Sequence, residues 1–336
     1  MTCRVGANIH GFSVDRARVE WFVRLVKPRV VTVVSNPELA RDVLGWSGGE
    51  TLVIFRHWWP YGDTGDDSMF TKAAAADYLA DVMGLAQDKR IVLHLDNEPL
   101  FPVPLDNPDR AAALKQWSDW ALAGMAFAES KGWRCCVGNF APANIAAVDW
   151  NGALLPVIFK LSEGYHLLGT HDYRIEFHQE YPYIGQHQGA DKAADGHGIP
   201  RPVKVVTELA CAAPEWQWQG FTEESYADWL AALDRTIYGP DGVIGECVFS
   251  FGNSGNWQYF DMAQKTVFWE RVAAYGREKP VGPVVLPSEY KEMPEGEDGK
   301  TIDMRVAVLE QVVVALAERV QELEEKLAQA GAVLQG

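Results

Sequence analysis

The sequence predicts a (β/α)8 TIM barrel followed by a linker and a C-terminal coiled-coil helix. Three observations carry that prediction. Eight short β-branched runs alternate with helical patterns through residue 276. The first turn, Asn8-Ile9-His10-Gly11-Phe12, lacks the glycine-rich phosphate loop of a doubly wound open sheet. Beyond Ala274 the composition changes, and a heptad pattern follows.

Strands are expected at 4–9, 29–34, 51–56, 90–96, 134–139, 167–172, 203–208 and 243–251. Helices are expected near 15–26, 38–45, 71–86, 109–131, 148–163, 222–237 and 260–274. After Asp109, an apolar stripe at helical spacing (Leu114, Trp117, Ala121, Ala128) runs until Gly132. Thr222 stands where an N-cap belongs, and Phe221 and Tyr226 where a hydrophobic staple places its pair. The interval 174–202 is polar and reads mostly as loop.

The chain has 336 residues, 48% of them hydrophobic and 23% charged, which is ample for a large core. No uninterrupted apolar stretch of ~18 residues exists, so no membrane span is expected. Thirty basic residues against 46 acidic ones leave a net charge of -16, which repels a nucleic-acid backbone. Partners are expected among neutral molecules or other protein chains. The five cysteines (Cys3, Cys135, Cys136, Cys211, Cys247) form no CxxC and no small framework, so reduced core thiols are expected. The first residues run straight into a strand pattern with no signal-peptide signature. A cytoplasmic or virion-associated location is expected on that basis.

In a barrel of this kind, chemistry gathers at the C-terminal strand ends. Those ends carry Asn8 and His10, Arg56-His57-Trp58-Trp59, Asp96-Asn97-Glu98, Gly138-Asn139, His171-Asp172-Tyr173 and Thr207-Glu208. Alternation on strand 4 turns His94, Asp96 and Glu98 toward the axis. The same count on strand 7 turns Lys204, Val206 and Glu208 inward. Glu98 and Glu208 would then face each other across the mouth. Two facing carboxylates are what glycoside hydrolysis needs, one to protonate the leaving oxygen and one to attack or to activate water. Arg56, His171 and Tyr173 stand where they could separate the two pKa values. Trp58, Trp59, Tyr61, Trp216, Trp218, Trp257 and Tyr259 fall on loops of the same face, where flat rings suit the apolar faces of a pyranose.

These residues resemble a known group. Leu95-Asp96-Asn97-Glu98-Pro99 and Val206-Thr207-Glu208 look like the motifs of clan A, the "4/7" retaining glycoside hydrolases. His171-x-Tyr173 looks like that of the cellulase-like family 5 within the clan. The resemblance covers the barrel and not the tail. It implies Glu98 as acid/base and Glu208 as nucleophile. It further implies that Asn97 binds a sugar hydroxyl, that Tyr173 hydrogen-bonds the nucleophile and that His171 helps set the acid/base. The family's arginine lies on strand 2, whereas Arg56 follows strand 3 here; its strand-8 tryptophan has no counterpart before Trp257. With Arg56, His57, Trp58, Trp59, Asn139, Trp216 and Trp257 added as substrate contacts, the expected ligand is a neutral carbohydrate, with no metal and no cofactor.

Two other readings compete. A metal-dependent barrel hydrolase would carry His-x-His on strand 1, where Asn8-Ile9-His10 stands; His94-x-Asp96 could ligate a metal with later histidines, but His178, His187 and His197 read as surface residues of a polar loop. A non-catalytic carbohydrate-binding barrel, multivalent through its tail, is the other.

The domain boundaries follow from composition. The barrel spans 1–276, a Pro/Gly/charged linker 277–300 and a coiled-coil helix 301–336. The heptad reads Ile302, Val306, Leu309, Val313, Leu316, Val320, Leu323, Leu327. Arg305 with Glu310, and Arg319 with Glu324, resemble the signature of three-stranded coils, so a parallel homotrimer is expected.

Overall fold

The computed structural model describes residues 1–12, 14–57, 84–98, 108–141, 145–173, 184–210, 221–252 and 260–287. The chain divides into two units, Met1–Tyr290 and Lys291–Gly336. The second lies wholly outside the described residues, and so does the heptad.

Eight strands form a closed parallel barrel in sequence order: β1 (Val5–His10), β2 (Val30–Val34), β3 (Leu52–Arg56), β4 (Ile91–His94), β5 (Cys135–Val137), β6 (Leu167–Tyr173), β7 (Val203–Ala210) and β8 (Glu246–Phe251). β8 closes on β1. Strands of a helix-wrapped barrel are covered on both faces, which is why runs such as Val-Val-Thr-Val-Val in β2 lack a polar side. Val30, Leu52, Ile54, Val92, Cys136, Leu167, Val205 and Cys247 fill the inside. Val31, Val33, Val53, Phe55, Leu93, Val206 and Val248 face outward, into the layer that the helices close.

Those helices are α1 (Arg16–Val26), α2 (Pro37–Trp46), α3 (Arg110–Ser130), α4 (Ala147–Trp150), α5 (Leu155–Leu161), α6 (His187–His197), α7 (Glu223–Leu233) and α8 (Thr266–Glu278). Asp15 and Asn36 cap α1 and α2 by accepting the N–H groups of Ala17 and Leu39. At α7 the expected cap is present: Thr222 accepts the N–H of Ser225 at 3.2 Å, and the rings of Phe221 and Tyr226 stand 5.5 Å apart. A π-helical turn, Asp234–Tyr238, continues α7. Among the described residues no helix is long and apolar enough to cross a membrane. Cys3, Cys135, Cys136 and Cys247 are buried free thiols, and Cys211 lies outside the described residues.

Three expectations need correction. The interval 174–202 holds the 11-residue α6, whose inner face is His187, Ala190, Asp191 and Ala194. Small and polar residues make that stripe, so it carries no strong apolar period. The expected helix at 148–163 is two short ones, α4 and α5, with Pro156 in the first turn of the second.

The third correction concerns β7. Lys204 and Val206 point outward: Lys204 bonds Asp191 on α6 at 2.7 Å, and Val206 joins the outer core. Val205 points inward. Counting in twos from Val205 would put Glu208 outside. A β-bulge reverses the phase. Against β6 the register steps from Thr170↔Val206 to His171↔Glu208, and against β8 from Val206↔Glu246 to Leu209↔Val248. β7 therefore carries one extra residue on both of its edges. Glu208 reaches the interior because of the bulge, not because of unbroken alternation.

Candidate active site

The C-terminal strand ends converge on Glu208. From β3, directly across the barrel, Arg56 Nη1 donates to Glu208 Oε1 at 3.1 Å, with both side chains buried. From β6, the Tyr173 hydroxyl donates to Glu208 Oε2 at 2.5 Å. His171 Nδ1 stands 3.6 Å from the same Oε2 and 3.2 Å from Glu98 Oε1. Ligand atoms of Glu98, His171 and Glu208 all lie within 4.8 Å of one another. Glu98 follows β4 in a left-handed conformation (φ 45°), and its N–H donates to the carbonyl of Asn139 at 2.8 Å. Its side chain is 31% exposed against 6% for Glu208, so Glu98 is the carboxylate open to the mouth.

Electrostatics follow from that packing. Burial works against a charged His171, yet the Glu208 and Glu98 carboxylates outweigh it and raise the imidazole pKa. Burial works against a charged Glu98 as well, and there His171 and Arg56 prevail, so its carboxyl lies below its ordinary value. Both shifts favour a charged His171 beside an ionised Glu98. Burial, then the two carboxylates, push the Tyr173 phenol well up, so it remains a donor. Burial and the Arg56 charge lower His10 to about 4, and burial with the Arg56 and His171 charges holds His94 well below its ordinary value. Both imidazoles are neutral at pH 7.

Beneath the carboxylates lies a buried polar layer. Asp96 accepts from Asn139 Nδ2 at 2.8 Å, from the Gly138 N–H at 3.1 Å and from Trp117 Nε1 of α3 at 3.1 Å. It is buried and hydrogen-bonded as expected, and Lys204 plays no part. Thr207 Oγ1 donates to Asn139 Oδ1 at 2.7 Å. Asn139 is fully buried with both ends of its amide engaged, so it lies under the site and not on its surface, contrary to the expected substrate contact.

Of the other expected contacts, Asn97 stands beside Glu98, and among the described residues its buried amide oxygen has no hydrogen-bond partner. His57 follows β3 and is half-buried. Trp58, Trp59, Trp216 and Trp257 lie outside the described residues. Phe249 was missed, and His10, noted at the end of strand 1, was given no role in sugar binding. Phe249, on β8, packs with Phe260, Ala210 and Tyr173 at the mouth, and its ring meets His10 edge-on at 5.3 Å. Phe249 faces in by plain alternation from Cys247, and the register then shifts from Asn8↔Phe249 to Ile9↔Phe251, which turns Phe251 to the outer core. The run Phe249-Ser250-Phe251 gives no sign of that shift.

Among the described residues, the group spaced to hold a metal ion is Glu98, His171 and Glu208, one nitrogen and two carboxylates. His94 and Asp96 are not part of it. His187 is not a surface residue: it is fully buried, with Nε2 3.0 Å from Asp241 Oδ2. His197 is exposed, and His178 lies outside the described residues.

No family model matches the chain, and no curated protein matches it. Solved structures do. A GH5 family lichenase from Caldicellulosiruptor sp. F32 aligns with a TM-score of 0.53 at 12% identity, over 80% of this chain and 84% of its own. A GH39 β-xylosidase from Caulobacter crescentus aligns with a TM-score of 0.53 at 13% identity, over 84% of this chain and 73% of its own. A GH39 enzyme from Xanthomonas axonopodis pv. citri gives 0.52 at 12%, over 83% and 66%. At such identity the shared property is the fold, and the chain has the (β/α)8 barrel on which these glycoside hydrolases are built.

Proposed function

We propose that the chain is a retaining glycoside hydrolase acting on a neutral oligo- or polysaccharide, with Glu208 as nucleophile and Glu98 as acid/base. One observation carries the reading: two carboxylates of unequal exposure approach within 4.8 Å, around a shared imidazole. Retention calls for carboxyl groups ~5–5.5 Å apart, whereas inversion leaves room for a water at a wider gap.

The roles follow from the surroundings. Glu208, held by Arg56 and Tyr173, is fixed in orientation for attack on an anomeric carbon. Glu98 lies at the open mouth, where a leaving oxygen would sit. The proton it must deliver rests on His171 at 3.2 Å, so the first step draws that proton through Glu98 to the leaving group. Glu98, again a carboxylate, then takes a proton from the water that hydrolyses the glycosyl–Glu208 ester. Asn97, beside Glu98, supplies a hydroxyl partner through its amide. Phe249, His10 and Phe260 offer a largely apolar wall opposite.

A panel of aryl glycosides and neutral glycans tests this. Glu208→Gln should abolish turnover of every substrate. Glu98→Gln should still release a good aryl leaving group in a first burst, because that step needs no acid. Sugar binding without turnover by the wild-type protein would leave the carbohydrate-binding reading instead.

A further inference from the structure

The two glutamates come from strands that do not touch, β4 and β7, so something must fix their separation. Asn139, at the end of β5, contacts both sides. Its backbone carbonyl accepts the Glu98 N–H at 2.8 Å. Its side-chain oxygen accepts the hydroxyl of Thr207, the residue before Glu208, at 2.7 Å. We infer that the Asn139–Thr207 hydrogen bond sets the spacing of the two carboxylates, which makes Asn139 and Thr207 positioning residues.

The bulge explains why this bond is needed. An extra residue in a strand loses its place in the ladder and leaves the local backbone free to settle in more than one way. Here Thr207 is tied down from several sides. Its hydroxyl also lies 3.2 Å from the Thr170 carbonyl, and its own carbonyl accepts from Asn8 Nδ2 at 3.2 Å and Thr32 Oγ1 at 3.4 Å. Among these bonds, the one to Asn139 leads to the other glutamate.

Asn139 is itself oriented from below. Its Nδ2 donates to Asp96, which the Gly138 N–H and Trp117 Nε1 hold in place, so the amide cannot turn over without breaking the set. The fit is close as well: a Cβ on Gly169 would come within 1.9 Å of Asn139 Oδ1. A chain of bonds thus runs from α3 through Asp96 and Asn139 to the backbone beside Glu208, and a side arm reaches the backbone of Glu98.

The activity arm of the test rests on the glycosidase reading; a structural arm does not. Thr207→Val keeps the side-chain shape and removes the hydroxyl, while Thr207→Ser keeps the hydroxyl. A misplacement of about 1 Å at a reacting pair costs about 100-fold in rate. Thr207→Val should therefore lower kcat on an aryl glycoside by about 100-fold at nearly constant KM, and Thr207→Ser should restore most of it. Crystal structures of the wild type and both variants should show the Glu98–Glu208 gap widened in Thr207→Val alone. An inactive wild type would sink the glycosidase reading, and the crystallographic gap would still decide this one. An unchanged gap in Thr207→Val, or equal rates for the two variants, overturns the inference. Should Thr207→Val fail to fold, Asn139→Ala replaces it, with the same gap as the readout.

Discussion

Arg56 and Glu208 meet at 3.1 Å from opposite sides of the barrel, the last residue of β3 against the bulge of β7. Eight strands in closed order put these two half a turn apart. Their pairing therefore spans the mouth and closes one floor of the site.

Replacing that arginine should damage both rate and stability. Arg56→Met leaves Glu208 buried without its cation, and breaking a buried pair from one side costs about 3–5 kcal/mol. Loss of a preorganised charge at a reacting group costs about 100- to 1000-fold in kcat. Arg56→Lys should not restore the rate, since a point charge on a flexible stem does not reproduce the guanidinium. Steady-state kinetics and urea unfolding check this; an Arg56→Met variant with more than half the wild-type rate refutes it.

The His171–Glu98 pair should give a pH window of stability. His171 has a raised pKa, so its contribution is complete below 6.5 and fades as pH rises through the raised value. Glu98 has a lowered pKa, so its contribution is present above 4.5 and fades as pH falls through the lowered value. The stability difference between wild type and His171→Asn should accordingly be largest between pH 4.5 and 6.5 and shrink on either side. Urea titrations at a series of pH values measure it. A difference that is flat with pH means the pair is not ionised.

His10 should act in the opposite sense. Its pKa falls to about 4, from burial and the Arg56 charge, while the unfolded chain titrates near 6.5. Between these values the unfolded state binds the extra proton, so His10 makes stability rise with pH there. His10→Gln should flatten the wild-type slope over that interval. Its imidazole signals in NMR should remain those of the neutral ring at pH 6.

Outside the barrel, Lys204 and Asp191 form a buried pair between β7 and α6. Lys204→Met alone should destabilise the fold, by at most about 3–5 kcal/mol, since it leaves the buried Asp191 carboxylate with only the Arg201 guanidinium 3.7 Å away. The double change Lys204→Met/Asp191→Leu should recover most of that. Thermal unfolding separates the outcomes: a mild single variant would mean that the pair is not buried in solution.

The tail carries the remaining prediction. With Val306, Val313 and Val320 alternating with Leu309, Leu316 and Leu323, and with Arg–Glu pairs flanking the seam, residues 302–328 should trimerise the chain. Light scattering should report three copies of the 37.3 kDa chain, and a protein cut after about residue 280 should be a folded monomer. A monomeric intact chain at micromolar concentration excludes the trimer.

Much of the barrel was legible because it depends on local periods. β-branched runs between helical stripes give strand and helix in alternation, and that order on one chain has few closed solutions. The positions of Glu98, His171 and Tyr173 followed from strand ends, and that of Glu98 also from alternation on β4. Glu208 was located as well, but by a count that the structure corrects, because a bulge supplies the missing step on β7. A bulge is set by what the two neighbouring strands and the interior side chains accept, and Val-Val-Thr-Glu-Leu-Ala reads the same with or without one. The same holds for Phe251, turned outward by the shift on β8, and for Asn139, whose residue type suits a substrate contact but whose amide is consumed by Asp96 and Thr207. The sequence by itself determined the alternation of strands and helices and placed Glu98, His171, Tyr173 and Glu208 at strand ends. Tertiary packing decided which of those residues face one another and which are used up beneath them, because those contacts join strands far apart in the chain.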